Sequence, residues 1–94
     1  MLNQVVLVGR LTETPKYEER KITIAVPRSY KNENGEYDID YITIALSDNI
    51  AKNTAEYCKK GDVVGVKGRV ETNDTTMYIN AEKITFLSSK KESE

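Results

Sequence analysis

The chain has 94 residues, with 14 basic and 15 acidic side chains, no histidine, one cysteine and a formal net charge of −1. That length makes one domain with a modest core, and the charge excludes a protein that grips nucleic acid by bulk positive potential, so any such site must be a local patch. The lack of histidine and the single Cys58 remove the commonest general base and the usual zinc patterns, so no metal, no cofactor and no enzymatic activity are expected.

Residues Leu2–Leu11 read as a first strand, with Val6 and Val8 on one face and Val5 and Leu7 on the other. A strand apolar on both faces is buried on both, in the core or against a second subunit. The run Val5–Leu11 is echoed by Val63–Val70: each is β-branched, broken by glycine, and followed by arginine and an apolar residue. Glycine inside a strand allows a sharp bend or the close approach of another backbone, which suits a small curved barrel. Thr12–Lys21 is polar, contains Pro15 and reads as a solvated loop.

Ile22–Val26 alternates, with Ile22, Ile24 and Val26 inward and Pro27 either ending the strand or marking it as an edge. Asn34-Gly35 is a strong hairpin signal, and Tyr37–Leu46 is the returning strand. Ile42, Ile44 and Leu46 form its core face; Tyr41, Thr43, Ala45 and Ser47 point the other way. Asp48 or Ser47 suits the N-cap of a helix over Asn49–Lys60. Its buried stripe would carry Ile50, Thr54, Tyr57 and Cys58, with Lys59 and Lys60 at its negative end and Gly61 as its cap. Asp62–Glu71 is a fourth strand, with Val64, Val66, Gly68 and Val70 inward and Val63, Gly65, Lys67 and Arg69 outward. Asn73-Asp74 makes a turn, and Met77–Ala81 with Ile84–Leu87 forms a last, interrupted strand. Residues 1–88 are read as one domain and 89–94 as a polar tail that frays.

Three strands, a helix and two strands is the element order of the OB-fold, an all-β, five-stranded Greek-key barrel with its helix between strands three and four. Such barrels hold single-stranded nucleic acid with aromatic rings and a basic groove. Tyr41 by parity, and Tyr30 at the base of the hairpin, are exposed aromatics that forfeit burial. They either stack on bases or cover a subunit interface or the barrel wall. Tyr37 shares the parity of Tyr41 nearer the tip. Tyr57 reads as core, and Tyr17 and Tyr78 stay unassigned. Arg10, Arg28, Lys31, Lys67 and Arg69 could follow a phosphate backbone; the alternative for each is a solvated surface cation. Glu71 continues the Lys67–Arg69 face and dilutes its charge. Asp38 and Asp40 read as solvent-facing.

The chain resembles the bacterial and phage single-stranded-DNA-binding proteins. The resemblance rests on Met1–Thr12, Thr23–Val26, Asn32–Glu36 leading to Asp40-Tyr41-Ile42, Ala51–Gly61, Val64–Val70 and Ile84–Leu87, and covers residues 1 to 87. It implies an OB-fold that binds single-stranded DNA without strong sequence preference, with the stacking aromatics falling on Tyr30 and Tyr41. It also implies self-association, with the first strand pairing across a dimer and a homotetramer as the usual assembly. Four departures from the family pattern imply a smaller footprint and weaker binding. Ser47 stands where a third aromatic is usual, Thr43 where Arg or Lys is common, the loop after the first strand is shortened, and the last hairpin is cut to Glu71–Thr76. The chain stops at Lys90-Lys91-Glu92-Ser93-Glu94, without the acidic-aromatic tail that recruits replication and repair proteins; a truncation and a protein without that recruiting role both fit.

The reading is a compact single-stranded-DNA-binding protein, of phage or mobile-element origin. It would protect DNA in replication, recombination or repair, with replication proteins as candidate partners. The lone thiol fits a reducing cytoplasm. No apolar run spans a bilayer, so no membrane partner is expected. The alternative is a primosomal-type accessory OB-fold acting mainly through protein partners, with weak DNA binding.

Overall fold

In the computed structural model, which describes residues 1–88, five strands close into a barrel. They are β1 (Val5–Leu11), β2 (Lys21–Lys31), β3 (Tyr37–Ala45), β4 (Val63–Asn73) and β5 (Thr76–Ser88). The order around the barrel is β1-β2-β3-β5-β4, closing back on β1. Neighbours are antiparallel except β3 and β5, which run parallel. A helix, α1 (Asp48–Tyr57), joins β3 to β4. This is the expected OB-fold. The segment 89–94, read as a polar tail, lies outside the described residues.

The alternation of each strand decides which side chains fill the barrel. Ile24, Ile44 and Val64 are fully buried, surrounded by Leu11, Ile22, Val66, Ile79 and Ala81. Ala51 of α1 and Cys58 just beyond it join the same cluster. Of the three glycines in the echoed runs, Gly9 and Gly68 lie tight against a neighbouring backbone, while Gly65 does not. A Cβ on Gly9 would sit 2.7 Å from the Ala25 carbonyl oxygen, and one on Gly68 would collide with that of Asn80. The barrel therefore needs a hydrogen at both positions.

Several local expectations are corrected. β1 starts at Val5 and, within one chain, is buried on one face only: Val6 is 70% and Val8 52% exposed. β2 does not stop at Pro27. It runs to Lys31 with Pro27 opposite Ile39, and the register shifts between Pro27 and Lys31, where an irregular ladder tolerates a residue without N–H. β5 is continuous, and its apparent interruption is a bulge. Ala81 faces Gly68 and Lys83 faces Lys67, so Glu82 is the extra residue.

The helix ends three residues early. Cys58 is extended and its N–H donates to the Thr54 carbonyl at 3.0 Å, while Lys59–Asp62 forms a separate turn. Buried Asp62 organises that turn by accepting the Lys59 N–H at 3.0 Å, and Gly61 takes φ 93° there rather than capping the helix. Lys59 and Lys60 thus lie past the helix end. Ser47 holds the N-cap position without a side-chain hydrogen bond. Tyr57, the last residue of the helix, is not in the core; it is 64% exposed and packs its ring 6.1 Å from that of Phe86.

The Thr12–Lys21 segment is more ordered than a solvated loop. Tyr17–Glu19 makes a 3-10 turn, the Tyr17 hydroxyl donates to Asp48, and Arg20 pairs with Asp48 at 2.9 Å while lying 5.0 Å over the Tyr17 ring.

Candidate nucleic-acid interface

Two hairpins project from the same end of the barrel. β3 and β5 pair at Ile44–Ile79 and Ala45–Asn80. Ahead of those pairs the β2–β3 and β4–β5 hairpins part. The gap is a hollow of about 340 Å³ lined by Tyr41, Ile42 and Thr43 on one side and Val70, Met77, Tyr78 and Ile79 on the other. A second hollow of about 630 Å³ shares Thr43 and Tyr78 with it. That hollow continues past Ala45, Lys21 and Arg20 to the Asn73–Thr76 turn. Together they form one groove along the outside of the barrel.

The long hairpin is stiffened at its tip by Asn32. Its Oδ1 accepts the N–H groups of Asn34 and Glu36 at 2.8 and 3.0 Å, and its Nδ2 donates to Asp38 at 3.1 Å. Gly35 takes φ 80°, which closes the turn at little steric cost.

The stacking candidates are all exposed: Tyr41 by 67%, Tyr30 by 63% and Tyr37 by 54%. They do not share one surface. Strand alternation puts Tyr37 and Tyr41 on the face opposite Ile42 and Ile44, the face that borders the groove. Tyr30 lies in the irregular stretch between Pro27 and Lys31, close enough to Arg28 to interact with it electrostatically.

The basic candidates divide in two. Arg28 is clamped by Asp40, with Nε–Oδ2 at 3.1 Å and Nη2–Oδ1 at 3.0 Å, and lies 3.7 Å from Asp38. Both aspartates, expected to face only solvent, are thus partners of a cation or of the tip. Arg69 is paired with Glu71 at 2.6 Å and with Glu82 at 3.4 Å. Arg10 donates to the Gly61 carbonyl at 2.9 Å and keeps its charge uncompensated by that bond. The Lys31 ammonium lies 5.9 Å over the Tyr37 ring. Lys67 is exposed on the outer face of β4.

Hydrogen bonds set the titration of these carboxylates. Arg28 holds the Asp40 carboxyl below the usual range, chiefly by its hydrogen bond. Arg69 does the same for Glu71, followed by Asn80. Glu71 in turn raises the Tyr78 hydroxyl above its ordinary value. Charge-assisted bonds of this kind persist at neutral pH and partly neutralise Arg28 and Arg69.

Tyr78, unassigned from the sequence, is the residue common to both hollows besides Thr43. Its alternation with Ile79 and Ala81, inside the segment read as the strand Met77–Ala81, carried the signal.

Comparison with known proteins follows the same lines. Residues 2–87 match the family described as the Single-strand binding protein family. The chain is 44% identical to Single-stranded DNA-binding protein B of Bacillus subtilis, across 89% of this chain and 78% of that protein. It is 34% identical to Single-stranded DNA-binding protein 1 of Clostridium acetobutylicum, across 97% of this chain and 98% of that one. Among solved structures it is similar to the wild-type single-stranded DNA binding protein from Thermus aquaticus, with a TM-score of 0.74 and 25% identity. That match covers 93% of this chain and 50% of the Thermus chain. A Plasmodium falciparum SSB in complex with ssDNA shares the fold, with a TM-score of 0.73 at 19% identity over 94% of this chain and 96% of that one.

Proposed function

We infer that this chain, which belongs to the single-strand binding protein family, binds single-stranded DNA with little sequence preference in the groove between its two hairpins. The observation that carries this reading is the open groove bordered by the exposed ring of Tyr41. Rings recognise bases through their π-faces, which every base has, so such a site is tolerant of sequence. Tyr41 and Tyr37, on the groove face, and Tyr30, in the irregular stretch of the same hairpin, are the stacking residues. Arg10 and Lys31 meet phosphates, joined by Arg28 and Arg69 when these exchange a carboxylate for DNA; Lys67 stands opposite Val6 across the β1–β4 ladder and reaches a phosphate only at the edge of the β1 face. The match to proteins named for single-stranded DNA binding favours this role over that of an accessory module acting through protein partners.

The open Val6–Val8 face of β1 supports pairing with a second copy, a dimer from which a tetramer builds. Bound strands would be protected during replication, recombination or repair in the cytoplasm, with replication proteins as partners.

The test is titration of a fluorescent oligo-dT of about thirty nucleotides, the scale of a few OB-fold sites, against a duplex of equal length at low and moderate salt. Salt-sensitive binding of the single strand alone is the expected result. Equal binding of both, or none at low salt, overturns the reading.

A further inference from the structure

We propose that Tyr78 is a base-stacking platform of the groove, held in position by Glu71. The proposal rests on the single-stranded-DNA reading above. The ring does not fill the barrel, because β5 alternates Ile79 and Ala81 inward and Tyr78 and Asn80 outward. It is only partly buried, and both hollows of the groove open onto it. The parallel register, Ile44 beside Ile79, sets Thr43 abreast of Tyr78, with Ala45 one step along the same face. These small side chains leave the exposed part of Tyr78 open to both hollows. Tyr41 stands two residues away on the same face of β3, so one strand running along the groove passes both rings.

A ring that is fixed before binding loses less entropy when a base lands on it. Tyr78 is fixed: its hydroxyl donates to Glu71 Oε1 at 3.1 Å. Glu71 is itself held through Oε2 by Arg69 at 2.6 Å and by Asn80 at 3.1 Å. It faces Tyr78 directly across the β4–β5 ladder. Glu71 is a positioning residue here: it aims the ring and does not itself touch a base.

The experiment compares Tyr78→Leu and Tyr78→Phe with the unaltered protein for oligo-dT affinity, with thermal melting of each. It adds photocrosslinking of the unaltered protein to a 5-bromodeoxyuridine oligonucleotide, mapped by mass spectrometry. Tyr78→Leu keeps apolar volume and removes the aromatic face, and is expected to lose roughly tenfold in affinity. Tyr78→Phe keeps the ring and is expected to stay within about threefold. A crosslink on Tyr78 is the expected contact signature. Should Tyr78→Leu fail to fold, the crosslink on the unaltered protein decides. Unchanged affinity in a folded Tyr78→Leu protein, an equal loss in both variants, or no crosslink at Tyr78 while Tyr41 crosslinks would each overturn the proposal. If the unaltered protein binds no single strand at low salt, the wider reading fails first and this one with it.

Discussion

The Arg69 guanidinium donates to Glu71 at 2.6 Å, on the same strand and two residues away. Alternate residues of a strand share a face, so the cation that could meet a phosphate at the groove is met first by its own carboxylate. Arg28 and Asp40 repeat the arrangement across the β2–β3 hairpin. Two of the three arginines that the sequence offers for backbone contact, Arg28 and Arg69, are partly neutralised before DNA arrives.

Freeing Arg69 should therefore strengthen binding. Glu71→Gln retains an acceptor for Tyr78 and removes the charge. Its log–log salt plot is expected to steepen by about 0.7, one further phosphate on a single strand, with tighter binding at low salt. Because Glu82 also lies 3.4 Å from Arg69, the double change with Glu82→Gln should show the effect in full. An unaltered slope in the double variant would mean that Arg69 does not reach the backbone.

Tyr30→Ala and Tyr41→Ala should each weaken oligo-dT binding by roughly tenfold and leave the melting temperature close to that of the parent. Both rings are more than half exposed, so little packing is lost with them. Affinity unchanged from the parent in both variants would remove the stacking assignment.

A lysine at Val6 or Val8 should dissociate the protein into monomers. Each side chain is exposed on β1 in the single chain, and under the pairing proposed above a charge there would be buried without water. Light scattering at micromolar concentration reads the result; a mass unchanged from that of the parent would move the interface elsewhere.

Gly68→Ala should destabilise the barrel by about 1–3 kcal/mol, the usual cost of overpacking, because the new methyl collides with the Asn80 carbonyl. Gly65→Ala is the control, since its methyl would meet Leu87 at an ordinary 3.5 Å. Denaturant midpoints of the two variants should separate clearly; coincident midpoints would show that β5 can move aside.

Cys58 makes stability fall at high pH. Burial, then Asp62, pushes the folded thiol from 9.0 up to about 11. Below pH 9 both folded and unfolded chains hold the proton. Between 9 and 11 the unfolded chain releases it and the folded chain keeps it, so rising pH favours unfolding. Cys58→Ala should flatten this part of the stability profile, and alkylation of Cys58 at pH 8 should be slow in the folded protein and fast in urea.

Much of the fold was legible in the chain because it depends on short-range pattern. Ile22, Ile24, Ile44, Val64 and Val66 declare the barrel interior by alternation alone, Asn34-Gly35 declares a hairpin, and the echoed glycines Gly9 and Gly68 declare where strands must meet closely. The outward parity of Tyr41 was equally readable. What tertiary structure decided was which polar groups meet. Nothing local says that Arg28 finds Asp40 twelve residues on, that Arg20 crosses to Asp48, or that Glu71 gathers Arg69, Tyr78 and Asn80. Those contacts follow from strand register and from the bulges at Glu82 and after Pro27, which are set by how the whole barrel closes. The same holds for the early end of α1, where the turn built on buried Asp62 outweighs a helical pattern that runs on to Lys60. Periodicity identifies the faces of each strand; closure of the barrel decides which faces share a groove and which of their charges remain available to a ligand.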